Sequence, residues 1–165
     1  MSDLGDTASV LVMVCDYASQ DTSKLNIIGG GFQFAGFTEE GLTAPQTVVV
    51  VIDADPRHYN DEFAFELVLE NRTGDVVELP GPAGAPQAMR VAQVLRAEEP
   101  RPQRGVHVPR GLLPGRRQVV ANFPAGLPLR PGELYSWRVR IDGDSKPDWV
   151  ARFYVPGPPP APVLG

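Results

Sequence analysis

Prolines and glycines recur along this chain between short apolar runs, with 18 prolines and 17 glycines in 165 residues. A proline inside a helix removes a backbone donor and clashes with the preceding turn, so long helices are excluded over most of the sequence. Short apolar runs bounded by turn residues are typical of strands joined by turns. The sequence therefore predicts an all-β fold.

Apolar residues recur with a period of two in these runs, as in strands with one buried face. The clearest case is Phe63–Glu70. The β-branched run Val48–Ile52 is predicted to be buried, and Ser9–Ala18 is apolar on both faces, which predicts a central strand. The predicted strands are Ser9–Ala18, Leu25–Gly30, Phe32–Phe37, Gln46–Asp53, Phe63–Glu70, Asp75–Leu79, Met89–Ala97, Arg117–Phe123, Gly132–Ile141 and Asp148–Val155. The predicted core includes Val49, Phe63, Phe65, Tyr135, Trp137 and Phe153.

The length suffices for one well-buried core and is short for two domains. We therefore predict an antiparallel two-sheet Greek-key sandwich, immunoglobulin/fibronectin-like or jelly-roll-like, over residues 9–155. Residues 1–8 are predicted to form an N-terminal arm that also contacts partner subunits. Residues 156–165 (PGPPPAPVLG) are predicted to form a proline-rich tail of polyproline type.

Two proline-rich segments have no predicted role in the core, and both are candidate contacts for a protein partner. The first is the arginine-bearing segment of residues 101–117, called the long loop here, where arginines could pair with acidic groups of a partner. The second is the tail, which loses little conformational entropy when it docks. The predicted partner-binding residues are Arg101, Arg104, Arg110, Arg116, Arg117, Pro158, Pro159 and Pro160. A solvated loop is the alternative for the arginine segment.

The residues that could carry chemistry form no recognisable catalytic or metal-binding pattern. His58 and His107 have no nucleophile at a known triad spacing, and Cys15 lies within a buried strand. The acidic loop 53–62 places four acids near His58, a pattern open to a cation or to a solvated turn. The triplet Gly29–Gly31 is followed by strand residues, which favours a bend over a phosphate loop. No catalytic, cofactor-binding or metal-binding residue is predicted.

Charge and cysteine content predict the compartment and exclude some partners. A net charge of −5 favours neither nucleic acid nor an anionic membrane. A single cysteine suits a reducing compartment, and Val10–Val14 is too short for a signal peptide or a membrane span. We expect a cytoplasmic protein at the site of synthesis, with incorporation into a virion as a further expectation. The 13 arginines against two lysines suit a GC-rich bacterial or phage genome.

Two resemblances add to this interpretation. The run Leu129–Tyr135 (LRPGELY) resembles the tyrosine corner of fibronectin type III domains, which implies a Greek-key sandwich. The segments Val14–Ala18 and Lys24–Gly31, with Leu129–Asp142, resemble an uncharacterised bacterial and phage family of short sandwich proteins. That resemblance implies the fold and carries no activity or site residues.

Three classes of function are therefore weighed. The expected one is a non-enzymatic structural or interaction protein, a subunit or decorating component of a larger assembly such as a phage particle. The alternative is a stand-alone module that binds a small ligand or a carbohydrate. An enzymatic function is the least supported of the three, because the sequence contains no recognisable nucleophile–base pair or metal-binding pattern.

Overall fold

The computed structural model of the chain, which describes residues 2–81 and 84–157, consists of antiparallel sheets with two short helices. The strands are β1 Ser9–Cys15, β2 Tyr17–Asp21, β3 Lys24–Ile28, β4 Gln46–Ala54, β5 Glu62–Glu70, β6 Glu78–Pro80, β7 Pro86–Ala88, β8 Arg90–Arg96, β9 Gly115–Phe123, β10 Glu133–Ile141 and β11 Val150–Val155. Helix α1 spans Asp3–Thr7, and a 3-10 turn spans Pro56–His58. One main sheet has the order β1-β4-β9 and the other β11-β10-β5-β8, beside the two-stranded ribbons β2–β3 and β6–β7.

A single large hydrophobic cluster draws side chains from both main sheets. Alternate residues of β5 and β10 enter it from the four-stranded sheet, and Val48, Val50 and Ile52 enter it from β4. The six residues predicted for the core, Val49, Phe63, Phe65, Tyr135, Trp137 and Phe153, are all buried. The all-β, antiparallel prediction is confirmed. The shared cluster is consistent with two packed sheets. The finer prediction of a Greek-key sandwich stays a prediction.

Strand β4 is central and is buried on both faces, as its run of β-branched residues predicts. On its second face Val49 packs with Cys15 of β1 and Ala18 of β2 in a smaller cluster, which the β2–β3 ribbon covers. The prediction that Ser9–Ala18 is a central strand is wrong, because β1 lies at a sheet edge and the chain leaves it at Asp16. The outer face of β1 is apolar because the β2–β3 ribbon folds over this side of the sheet.

Two further strand predictions are wrong. Residues 32–37 form no strand and contribute only isolated bridges, such as the parallel one between Phe34 and Tyr154. The glycine triplet causes this, since Gly29 and Gly31 both have positive φ and bend the chain away from the ribbon. Residues 75–79 make a single bridge to β5, at Val76, before β6 pairs with β7. Strand β8 is instead the long antiparallel neighbour of β5 on this side.

The N-terminal segment packs on the domain itself through α1. Leu4 is buried in the main cluster, and the Lys146 ammonium donates to the carbonyl oxygens of Asp6 and Ala8 at 2.7 and 3.2 Å. A cation placed on the last carbonyls of a helix also complements its dipole. At the other end, Pro158, Pro159 and Pro160 lie outside the described residues, so their predicted role stays a prediction.

The predicted tyrosine corner has the expected hydrogen bonds. The Tyr135 hydroxyl accepts from the Arg130 N–H at 3.0 Å and donates to the Arg130 carbonyl oxygen at 3.3 Å. Burial raises the pKa of the Tyr135 phenol, because the ionised form would be poorly solvated there. The corner thus fixes the entry into β10, the strand that carries Trp137 into the core.

We predict that Tyr135→Phe lowers the free energy of unfolding by about 1–2 kcal/mol, because the partly buried Arg130 N–H loses its acceptor. Tyr154→Phe is the matched control, since the Tyr154 hydroxyl makes no hydrogen bond within the described residues. Urea denaturation followed by tryptophan fluorescence measures both variants. Equal stabilities of the two variants would contradict a structural role for the corner.

Candidate functional site

The arginines of the long loop differ in what they contact, and Arg116 is the most firmly held. It lies opposite Asp53 in the β4–β9 ladder. Its Nε and Nη2 donate to the two Asp53 carboxylate oxygens at 2.6 and 2.8 Å, a two-pronged pair with strong directional preference. The hydrogen bond to Asp53 raises the pKa of the Arg116 guanidinium. The Arg116 side chain is therefore fixed on the face of the sheet by its ion pair with Asp53.

Two more loop arginines are paired within the chain. Arg117 donates to the Glu98 carboxylate, and Arg110 donates to Glu99 at 3.1 Å. The backbone adds a further tie, since the Arg116 N–H donates to the Glu98 carbonyl oxygen at 2.9 Å. Glu98 and Glu99, which precede the loop, therefore fix the position of the loop beside β9.

Arg101 and Arg104 differ from the other three. Both are exposed, and within residues 2–81 and 84–157 neither has a carboxylate at ion-pair distance. Three of the five predicted contact arginines thus build the loop, and two remain available to a partner.

Arg101 lines a cleft of about 540 Å³ between the long loop, the start of β9 and the turn of the β2–β3 ribbon. We call this space the cleft. Its lining residues are Gln20, Thr22, Ser23, Glu98, Glu99, Pro100, Arg101, Leu113, Pro114, Arg116, Arg117 and Gln118. Guanidinium, carboxylate, amide and hydroxyl groups share the lining with the apolar side chains of Pro100, Leu113 and Pro114, so a bound group could make hydrogen bonds, ion pairs and apolar contacts.

Gln118 joins the two walls of the cleft. Its side-chain oxygen accepts from the Gln20 amide at 3.3 Å, and its amide donates to the Ser23 carbonyl oxygen at 3.3 Å. The ribbon turn is therefore attached to β9 at the same end of the sheet from which the long loop departs. This attachment sets the width of the cleft.

A smaller pocket of about 160 Å³ adjoins the cleft and shares Glu99, Pro100 and Leu113 with it. Tyr59 lines this pocket, and its hydroxyl donates to the Leu113 carbonyl oxygen. The contact ties the end of the long loop to the turn after Pro56–His58, so the loop is anchored at both of its ends.

The histidines and the cysteine lie outside the cleft lining. His58 is buried, with Nδ1 at 2.9 Å from an Asp61 oxygen and Nε2 at 3.2 Å from Asp3, so it links α1 to the acidic loop. His107 is exposed. The Cys15 thiol is fully buried and lies 3.5 Å from the Thr47 carbonyl oxygen.

The acids of the loop 53–62 contact residues of the chain itself. Asp53 pairs with Arg116, Asp61 with His58, and Glu62 with Arg96 at 2.5 Å. Asp55 accepts from the Arg57 N–H at 3.0 Å and caps the 3-10 turn. No cluster of three or more histidine, cysteine or acidic residues that could hold a metal occurs among the residues the structure describes.

Comparison of the chain with protein-family models, curated proteins and solved structures found no match. The family resemblance of the ribbon and corner segments therefore stays a prediction. In the described part of the chain, no helix has the length and apolar character needed to cross a membrane.

The structure brings together Arg101, Arg116 and Arg117 at the cleft and leaves Arg104 outside its lining. Sequence reasoning missed the second wall, formed by Gln20, Thr22 and Ser23 with Gln118. The polar turn at Gln20–Ser23 was predictable from composition. Its position beside β9 was not, because that depends on the ribbon crossing the outer face of the sheet.

The placement of Cys15 gives a chemical prediction. Burial, and next the charge of Asp16, raise the pKa of the thiol, so the reactive thiolate is scarcer than for a free cysteine at the same pH. We expect the native protein to react with Ellman's reagent roughly a hundredfold more slowly than the urea-unfolded protein.

A Ser23→Cys variant controls for reagent access, because Ser23 is exposed on the ribbon turn. In this variant the thiol at position 23 should react fast and the Cys15 thiol slowly. Equal native and unfolded rates in the parent protein would contradict the burial of Cys15.

Proposed function

We propose that this chain is a non-enzymatic interaction protein, a subunit or decorating component of a larger protein assembly, with a virion as the expected assembly. The observation that carries the proposal is the position of Arg101. It is exposed at the cleft and, in the described residues, lacks an acidic partner, while Arg116 and Arg117 beside it are already paired.

This arrangement suits an acidic side chain presented by a partner protein. A carboxylate entering the cleft can take two parallel hydrogen bonds from the Arg101 guanidinium, the geometry that arginine favours. The neighbouring ion pairs hold Arg116 and Arg117 in place, so ordering these side chains adds little to the entropic cost of association. The side-chain amides of Gln20 and Gln118 each have a second N–H beside the one that is hydrogen-bonded within the chain, and this second N–H could donate to the acid.

The proline-rich segment 156–165 is the second proposed contact. Pro158, Pro159 and Pro160 restrict the backbone dihedrals of this segment in any conformation. A segment that is already restricted loses little entropy on docking, which favours a role as an arm that reaches a neighbouring subunit.

The alternative is a module that binds a small ligand or a carbohydrate. The cleft volume of about 540 Å³ supports it, because it lies within the roughly 300–1,000 Å³ found for small-molecule sites. The lining is rich in amide, hydroxyl and charged groups that could bind sugar hydroxyls. It includes no aromatic ring among its described residues, so stacking against a sugar is not offered there.

We predict that Arg101→Glu abolishes partner binding, because the reversed charge repels the acid that the cleft receives. Arg104→Glu is the matched control, since it makes the same charge change on the same loop outside the cleft lining. The tagged full-length chain and both variants are purified from the native source, and co-purifying proteins are quantified by mass spectrometry.

The proposal expects one defined protein to be retained in fixed stoichiometry by the parent and by Arg104→Glu, and to be lost from Arg101→Glu. If all three chains retained the protein equally, the cleft would not be the contact. Should no protein co-purify while the parent binds neutral oligosaccharides in calorimetry, the ligand-binding alternative would replace the proposal.

A further inference from the structure

Three of the four outer edges of the main sheets receive a backbone hydrogen bond from another segment of the chain. At β1 the Gly31 N–H donates to the Val14 carbonyl oxygen at 2.7 Å. At β9 the Arg116 N–H donates to Glu98, and at β11 the Tyr154 N–H donates to Gln33 at 2.8 Å. Between Arg90 and Arg96, the edge of β8 receives none from the residues that the structure describes. The edge of β8 is therefore open.

The pairing of β8 with β5 determines which backbone groups face outward. The Ala97 N–H donates to the Asp61 carbonyl oxygen, and the Leu69 N–H donates to Met89, so these two pairs are hydrogen-bonded. Hydrogen-bonded pairs recur at every second residue of an antiparallel ladder. The backbone groups of Val91, Gln93 and Leu95 therefore face β5. Those of the alternate residues, Arg90, Ala92, Val94 and Arg96, face away.

The side chains at the open positions form a distinct pattern along the strand. Val94 is 68% exposed, the most exposed of the large apolar side chains in the described residues, and Ala92 beside it is also exposed. Arg90 and Arg96 flank them at the two ends of β8. Each arginine offers several N–H donors, and its exposed pair with Glu66 or Glu62 occupies few of them.

We propose that the edge of β8 is a docking site for an extended segment of another protein, which adds to the four-stranded sheet as a fifth strand. Main-chain hydrogen bonds to Ala92 and Val94 supply affinity, as in other cases of strand addition. Apolar side chains of the incoming segment cover Ala92 and Val94. Acidic side chains at its two ends pair with Arg90 and Arg96.

Charge distinguishes this occupant from a second copy of the chain. Two copies of β8 paired about their centre would place Arg90 opposite Arg96 at both ends. Like charges directly opposite each other destabilise a ladder. A segment that ends in acidic residues replaces this repulsion with attraction, which is why the inferred partner is a different chain.

A synthetic peptide of sequence Glu-Thr-Val-Thr-Val-Thr-Glu, blocked at both ends, is the probe. Its glutamates and valines fall opposite the two arginines and the Ala92–Val94 pair when it aligns antiparallel to β8. We expect saturating peptide to slow hydrogen exchange of the Ala92 and Val94 amides by about tenfold or more in the full chain, because binding protects outward amides. A peptide with lysines in place of the glutamates should give no protection.

Val94→Pro should abolish the protection, since it removes an outward N–H without breaking the ladder to β5. Val94→Thr keeps that N–H and should retain the protection. Should Val94→Pro fail to fold, the two peptides on the parent protein still test the proposal. Unchanged exchange with the glutamate peptide would overturn it. So would self-association of the parent through β8 in sedimentation equilibrium, or protection confined to residues of the cleft.

Discussion

The burial of β4 on both faces is the constraint on which the rest of this structure depends. A strand with Val48, Val50 and Ile52 on one side and Val49 on the other cannot leave either side in water. The main hydrophobic cluster covers the first side, and the β2–β3 ribbon covers the second. Burying apolar surface stabilises the fold by about 25 cal/mol per Å², so both covers are strongly favoured.

The position of the ribbon has a second effect, because it brings polar residues next to β9. Ala18 is held on the outer face of the sheet by hydrophobic contact. The turn that follows, at Thr22 and Ser23, then projects toward the long loop and meets Gln118. The cleft is thus a consequence of core packing, and it lies where the ribbon turn and the long loop meet.

Residues whose burial is set by local alternation were predictable, and those whose position depends on long-range packing were not. Phe63, Phe65, Tyr135 and Trp137 follow a period of two, and each is buried as predicted. For Ser9–Ala18, apolar residues on both faces predicted a central position, and this was wrong because a covering ribbon buries a second face without adding a strand to the sheet. The short helix α1 was missed because its five residues include a single buried large apolar side chain, Leu4.

At the candidate site the arginines were predicted from the sequence, but their acidic partners were not. Asp53 and Glu98 lie 63 and 19 residues from the arginines they bind, and such pairings follow from strand register alone. The difference between the paired Arg116 and the available Arg101 could therefore not be predicted from the sequence around either residue.

The anchoring of α1 by Lys146 has a consequence for how the protein is made. The contact joins residues 140 positions apart, so α1 can be anchored only after Lys146 has been synthesised. Until then α1 lacks the ammonium group that bonds the carbonyl oxygens of Asp6 and Ala8. Folds dominated by such distant pairings form slowly, and their nascent chains expose apolar surface for longer. We therefore expect the docking of α1 to be a late step in the folding of this chain.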